Sequence, residues 1–368
     1  VTGLDLVEMQ IRIARGERLP DIVGAGTPPQ SRGHAIEARW CAEEYSGRFV
    51  SATGIVLDRF IPTDSQLEGT IRADLGYEIC SEVSHYYDSL LGKLIVHAPD
   101  RAKAIALLDY VVSNSRISGV TTNRSLLKHL LQTEAFRSQK HSIQGTLTLL
   151  PTPQELHEVR LQAHCIAAAI RLHQSHSEWA AGSPWMNSST ATSFQGRYPF
   201  SSLIQGDLYA STASIAGQSA VVDITSPEPR QINVELSNLQ HTSHCACRCE
   251  ASLDGAAAVA IDLFFDGQTT WVHSPHFSLA LTTSVPQRRG ASSQGGDGES
   301  IISSPIPGKV AALHVKEGDM VSAGTLLLVL DSMKMEHPFR APRDAKVLSL
   351  GVSQGAVIQA GAVLVTLG

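Results

Sequence analysis

The order of polar and apolar positions divides the chain into three stretches of different rhythm. Up to about residue 149, helical and extended periods alternate. The spacing predicts a helix from Leu4 to Arg15, with Asp5 in its first turn and Gly16 just past its end. From His34 to Trp40, Ala35, Glu37 and Arg39 alternate with Ile36, Ala38 and Trp40, a strand pattern. Residues 55–60, 71–75 and 90–97 are further strand candidates. Ile105, Leu108 and Val112 then recur at helical spacing. Leu126, Leu127, Leu130 and Leu131 do so again after Thr121-Thr122-Asn123. This first stretch is α+β.

The second stretch, 150–285, opens on Pro151-Thr152-Pro153 and a long helix, with Leu156, Val159, Ala163, Ile166 and Ile170 as one apolar stripe. His157, His164, His173 and His176 are expected on its solvated face. From Ser201 the period becomes two, as in Ile232/Val234/Leu236, and Asp266-Gly267 between two apolar pairs marks a hairpin. One helix followed by antiparallel strands suggests a small barrel or sandwich, and closure removes exposed edges. Residues 286–300 are dense in Gly, Ser and Pro and nearly free of apolar side chains. That composition predicts a flexible linker spanning roughly 20 Å.

The third stretch, 301–368, repeats itself at an offset of 37 residues. Gly318 falls on Gly355, Ala323-Gly324 on Ala360-Gly361, and Leu330 on Leu367. Val310, Leu313 and Val315 fall on Val347, Leu350 and Val352. Each half is too small to bury both of its faces, so two halves packed together predict a flattened, pseudo-twofold β-sandwich. The paired glycines sit where turns need positive φ. Between the halves runs Asp331-Ser332-Met333-Lys334-Met335-Glu336-His337-Pro338, which must reverse direction near Lys334. By itself Met-Lys-Met is an ordinary exposed turn. Placed between two halves of a repeat, it presents an amine on a long stem, flanked by adaptable Met side chains.

Composition narrows the function. The 368 residues carry 29 Lys plus Arg against 35 Asp plus Glu, a net charge of −6, which argues against nucleic acid as the main partner. No apolar run reaches about 18 residues, so no transmembrane helix is expected. Val1-Thr2-Gly3-Leu4-Asp5 is no signal peptide, and the first residue is not Met, so the chain reads as part of a longer one. Six Cys are too few and too uneven for a disulfide framework, which favours a reducing compartment. His241, His244, Cys245, Cys247 and Cys249 could suggest zinc. A one-residue gap along an extended strand chelates poorly, however, so free thiols are expected and no metal is assigned.

The third stretch resembles a biotin carboxyl carrier domain, in which the biotinylated Lys lies in an (Ala/Ser)-Met-Lys-Met turn. The resemblance implies covalent biotin on Lys334, with Met333 and Met335 beside it. Lipoyl domains share the fold, but their Lys usually follows Asp. The first stretch resembles the C-terminal subdomain of biotin carboxylase. The resemblance rests on Val1-Thr2-Gly3-Leu4-Asp5-Leu6, Gly33-His34-Ala35-Ile36-Glu37-Ala38-Arg39, Tyr86-Tyr87-Asp88-Ser89 and Gly92-Lys93-Leu94-Ile95. It implies that Arg72, fourteen residues before Tyr86, sits beside the ureido oxygen of biotin. A fixed guanidinium would there stabilise growing negative charge. The plain alternative is a strand Arg paired with Glu37 or Glu43. The ATP-, Mg- and bicarbonate-binding parts of that family would lie before Val1.

Acyl-CoA carboxylases with separate α and β subunits place a connecting domain between these two parts, and 150–285 is similar to it in order and size. The fold expected is therefore multidomain α+β and β. A biotin carboxylase C-terminal subdomain (1–149) is followed by a helix-plus-antiparallel-barrel connecting domain (150–285), a linker (286–300) and a biotinyl/lipoyl-like β-sandwich (301–368). The function implied is that of the biotin-carrying α subunit of an ATP- and biotin-dependent acyl-CoA carboxylase. Met335-Glu336-His337 resembles the methylcrotonoyl-CoA enzymes of leucine catabolism. Propionyl- or geranyl-CoA carboxylase, a non-catalytic biotinyl carrier or scaffold, and lipoylation of Lys334 stay open. The partners implied are a carboxyltransferase β subunit, biotin protein ligase and, through the β subunit, acyl-CoA. These would form a large hetero-oligomer in the mitochondrial matrix if eukaryotic, or in the cytoplasm if bacterial.

Overall fold

The computed structural model describes the chain except residues 25–27, 47–48, 181–196, 206, 217–218, 244, 267–268, 284–299, 305–307, 333–334 and 359–360. Residues 286–299 of the expected linker, together with Met333 and Lys334, thus lie outside the described residues, and Ser300 already belongs to a strand. Among those described, no helix is long and apolar enough to cross a membrane.

The first helix runs Leu6–Ala14. Asp5 is its N-cap, accepting from the N–H groups of Val7 and Glu8, and Gly16 follows its end at φ +95°. The block's main sheet has three antiparallel strands in the order His34–Cys41, Leu90–Ala98, Thr70–Leu75. Alternation decides its faces: Leu94, Val96 and Ala98 are buried, while Lys93, Ile95 and His97 turn to the opposite side. Helix Arg101–Asn114, capped by Asp100, covers the buried face with Ala104, Leu107, Leu108 and Val111. The strand expected over 55–60 forms instead as two short pieces, Gly54–Ile55 and Asp58–Phe60, which pair with different partners.

The second block is a closed antiparallel barrel. Its eight strands pair in sequence order, from Arg197–Ile204 round to Ser278–Thr283, which pairs back onto the first. The long helix, Pro153–Ala180, lies inside this wall and touches strands on several sides of it. Residues 163–170 are at most 1% exposed. The expected single stripe is therefore wrong for this segment: the helix is buried all round. Ala163, Ala167, Ala168 and Ala169 supply the narrow girth that lets a barrel of this size close over a helix, while Ile166 and Ile170 fill the remaining space.

The third block is two four-stranded sheets. One has the order Ser300–Ser303, Val363–Leu367, Ala345–Leu350, Met320–Val321. The other has the order Met335–Arg340, Leu326–Ser332, Gly308–Leu313, Val357–Ile358. Moving 37 residues along the sequence exchanges the sheets strand for strand, so the repeat in the sequence is a twofold axis in space. Val310, Leu327, Leu328 and Leu330 meet Val347, Leu364, Val365 and Leu367 between the sheets, and half-buried Val50 of the first block packs against this cluster.

Candidate functional site

The reversal between the halves of the third block is bounded by register. Strand Leu326–Ser332 pairs with Met335–Arg340 down to the partners Ser332 and Met335, and the sequence between those partners is Met333-Lys334. The frame holding this segment is closed by symmetric backbone bonds. Gly324 donates to Ala341 at 2.8 Å and Gly361 to Ser304 at 2.7 Å. Gly318, Gly324, Gly355 and Gly361 have φ between +84° and +93°, where L side chains are strained, so glycine is required at all four turns. Strand pairing thus runs up to the residues on either side of Met333-Lys334, and the far end of that strand pair is closed by Gly324, one of the glycines the sequence repeat singles out.

Arg72 lies on the open face of the first block's sheet, opposite Ile95, with its side chain 73% exposed. Its expected structural partners are not the ones found. Glu37 pairs with Lys93 at 3.2 Å, and Glu43 accepts from Ser89. Arg72 instead donates to its strand neighbour Asp74, Nε to Oδ1 at 2.9 Å and Nη2 to Oδ2 at 2.8 Å. Residues i and i+2 of a strand share a face, so the Asp74 pairing has a signal in the sequence alone. The pairing holds the Asp74 carboxyl below its usual range and leaves a planar guanidinium, oriented at two points, open to solvent. Beside it stand Lys93, opposite Asp74, and Arg39, opposite Lys93. This face can receive a group on which negative charge develops.

The histidines of the long helix divide. His164 is fully buried, contrary to the expected solvated face. Its Nδ1 meets Ser202 Oγ at 2.7 Å and its Nε2 meets Ser211 Oγ at 2.9 Å, between the rings of Phe200 and Tyr209. Burial drives its pKa down to about 4, so it is a neutral structural imidazole. His157 Nδ1 lies 3.1 Å from the Tyr209 hydroxyl. The side chains of His173 and His176 lie outside the described residues.

Cys247 and Cys249 point into the barrel, each 1% exposed, and burial pushes their thiols up to about 11 and about 12. Cys245 is exposed just before the strand. Among the described residues no group of three or more metal-ligating side chains converges, although His244 and the side chain of His241 are outside them.

Residues 37–149 match the biotin carboxylase C-terminal domain family, and residues 300–367 match the biotin/lipoyl family, described as biotin-requiring enzyme. The alpha subunit of mitochondrial methylcrotonoyl-CoA carboxylase from Mus musculus is 28% identical over 358 residues, 94% of this chain and 48% of its own length. The mitochondrial propionyl-CoA carboxylase alpha chain of Caenorhabditis briggsae is 26% identical over 372 residues, 93% of this chain and 47% of its own. Among solved structures, the biotin carboxylase domain of a thermophilic 2-oxoglutarate carboxylase bound to bicarbonate is 30% identical. It covers 41% of this chain and 33% of its own, at a TM-score of 0.36. The chain spans about half the length of the curated relatives it matches. One polypeptide thus matches a biotin carboxylase C-terminal domain and a biotin/lipoyl domain, and it is similar along most of its length to the alpha subunits of methylcrotonoyl-CoA and propionyl-CoA carboxylases.

Proposed function

We propose that this chain is the C-terminal part of the biotin-carrying alpha subunit of an acyl-CoA carboxylase, with biotin joined by an amide to the ε-amino nitrogen of Lys334. The observation that carries the reading is the Ser332–Met335 strand pairing, with Met333-Lys334 as the intervening sequence, inside a twofold frame. Bound there, biotin supplies a ureido nitrogen that holds and releases carboxylate. Arg72 is the residue of the first block suited to that chemistry, because its guanidinium is oriented by Asp74 and open on its other edge. The functional units are 1–149, 150–285 and 301–368, with 286–300 as the tether that raises the effective concentration of the carrier at each site it visits.

The acyl-CoA assigned is methylcrotonoyl-CoA. Support comes from the Met335-Glu336-His337 sequence after the biotinyl position and from the methylcrotonoyl-CoA carboxylase relatives, although propionyl-CoA carboxylase chains match at similar identity. The partners are then biotin protein ligase and a carboxyltransferase beta subunit that receives the carboxylate for acyl-CoA. ATP, Mg and bicarbonate would be handled by a carboxylase region like that of the relatives, and the compartment, by analogy with those relatives, is the mitochondrial matrix if the host is eukaryotic and the cytoplasm if it is bacterial. The test is purification from the native host of the subunit that unites this chain with an ATP-dependent carboxylase region, together with its beta partner, followed by carboxylation assays with methylcrotonoyl-, propionyl- and geranyl-CoA. Preference for methylcrotonoyl-CoA supports the assignment, and preference for another acyl-CoA replaces it.

A further inference from the structure

Two bodies with separate apolar cores, the first block and the barrel, meet across a polar seam. At its centre Arg124, 2% exposed, spends its guanidinium on four carbonyls, two from each side. Within the first block it donates to Val112 at 2.7 Å and Ser113 at 2.5 Å. Across the seam it donates to Ser274 at 2.6 Å and Phe277 at 2.8 Å. The next residue repeats the theme. The Ser278 backbone N–H donates to Ser125 Oγ at 2.9 Å, and that hydroxyl donates to the Ser278 carbonyl at 3.3 Å. Ser118 Oγ meets Nε2 of the buried His273 at 2.9 Å, and His273 Nδ1 meets Ser278 Oγ at 2.7 Å. Arg116 bridges Asp58 on one side and Asp262 on the other.

A buried guanidinium tolerates little displacement. Its donors are satisfied only while both sets of carbonyls are in place, and shifting the barrel would leave a buried charge half-coordinated. The long helix adds a second tie, because its chain leaves the first block at Leu149, whose carbonyl meets His129 Nε2 at 3.0 Å, and continues inside the barrel.

We propose that Arg124 joins the carboxylase-type block and the barrel into one cooperative body, so that the barrel keeps a fixed place relative to the Arg72 face. Movement between sites then belongs to the 301–368 domain alone. The functional meaning rests on the carrier reading above, but the joining itself does not. Arg124 is here a positioning residue, remote from the open face of Arg72.

Calorimetry of the full chain, combined with hydrogen exchange to assign each transition, tests it. The expected wild-type result is two transitions, one for 301–368 and one shared by the first block and the barrel. Arg124→Met is expected to split the shared transition and to speed exchange of the Ser278 amide at least tenfold, leaving the amides of Gly308–Leu313 unchanged. Ser125→Ala removes seam bonds without stranding a buried charge. It is expected to speed Ser278 exchange even where Arg124→Met does not fold. Separate unfolding of first block and barrel in the wild-type chain would overturn the proposal, as would unchanged Ser278 exchange in Ser125→Ala. Mass analysis of Lys334 in the same samples reports on the carrier reading independently.

Discussion

Gly318 donates its backbone N–H to the carbonyl of Val347 at 2.8 Å, and Gly355 returns the same bond to Val310 at 2.8 Å. Each half of the repeat thus closes its turn on the other half. A Cβ at Gly318 or Gly355 would meet open space, so alanine there costs backbone strain alone. Gly318→Ala and Gly355→Ala should each destabilise the 301–368 domain by about 1–2 kcal/mol, and by nearly equal amounts because the sites are equivalent. Thermal unfolding should show that domain's transition falling by about 4–8 °C per kcal/mol, with the other transition unmoved.

The His164 imidazole predicts a pH dependence with a definite sign. Its folded pKa of about 4 lies below the unfolded value near 6.5, so the unfolded chain binds more protons between those limits. Stability is therefore full above about pH 6.5 and falls as the pH drops toward 4, by about 3 kcal/mol from this residue. Buried His273, also shifted well down, acts in the same direction. Urea midpoints measured across this range should decline with acid, and His164→Gln should flatten the decline.

Thiol chemistry should follow burial. Cys80 and Cys245 are exposed, whereas Cys165, Cys247 and Cys249 are buried and pushed to about 12, about 11 and about 12. Alkylation of the native chain followed by peptide mass analysis should label Cys80 and Cys245 first and spare the three barrel thiols until unfolding.

Arg72→Met, in a preparation that unites this chain with an ATP-dependent carboxylase region, should lower carboxylation about 10²–10³-fold, the cost of losing one aligned donor to developing charge. Asp74→Asn keeps one oxygen for Arg72 and removes the charge, so a smaller loss is expected. Steady-state kcat for free biotin reads both, and the fold should be unaffected because both side chains are largely exposed.

The symmetric block was the most legible part of the sequence, because a duplicated sequence leaves a duplicated spacing of Gly and Val that nothing else explains. The barrel was legible as a change of period from 3.6 to two. What the sequence hid was the relation between its parts. The run Cys165-Ile166-Ala167-Ala168-Ala169-Ile170 is apolar on every side, the mark of a helix with no wet face, yet the stripe through Leu156, Val159 and Ala163 drew attention to one side only. His164 was misplaced for that reason. Arg124 was unreadable for another: two of its four acceptors are carbonyls about 150 residues away, and backbone acceptors leave no trace in side-chain pattern.

The account turns on Lys334, and intact-peptide mass spectrometry of that residue from cells with an active biotin ligase is its most direct measurement. The mass of one biotinyl group is predicted on the peptide bearing Lys334, absent from Lys334→Arg. An unmodified Lys334, or a lipoyl mass in its place, would contradict it.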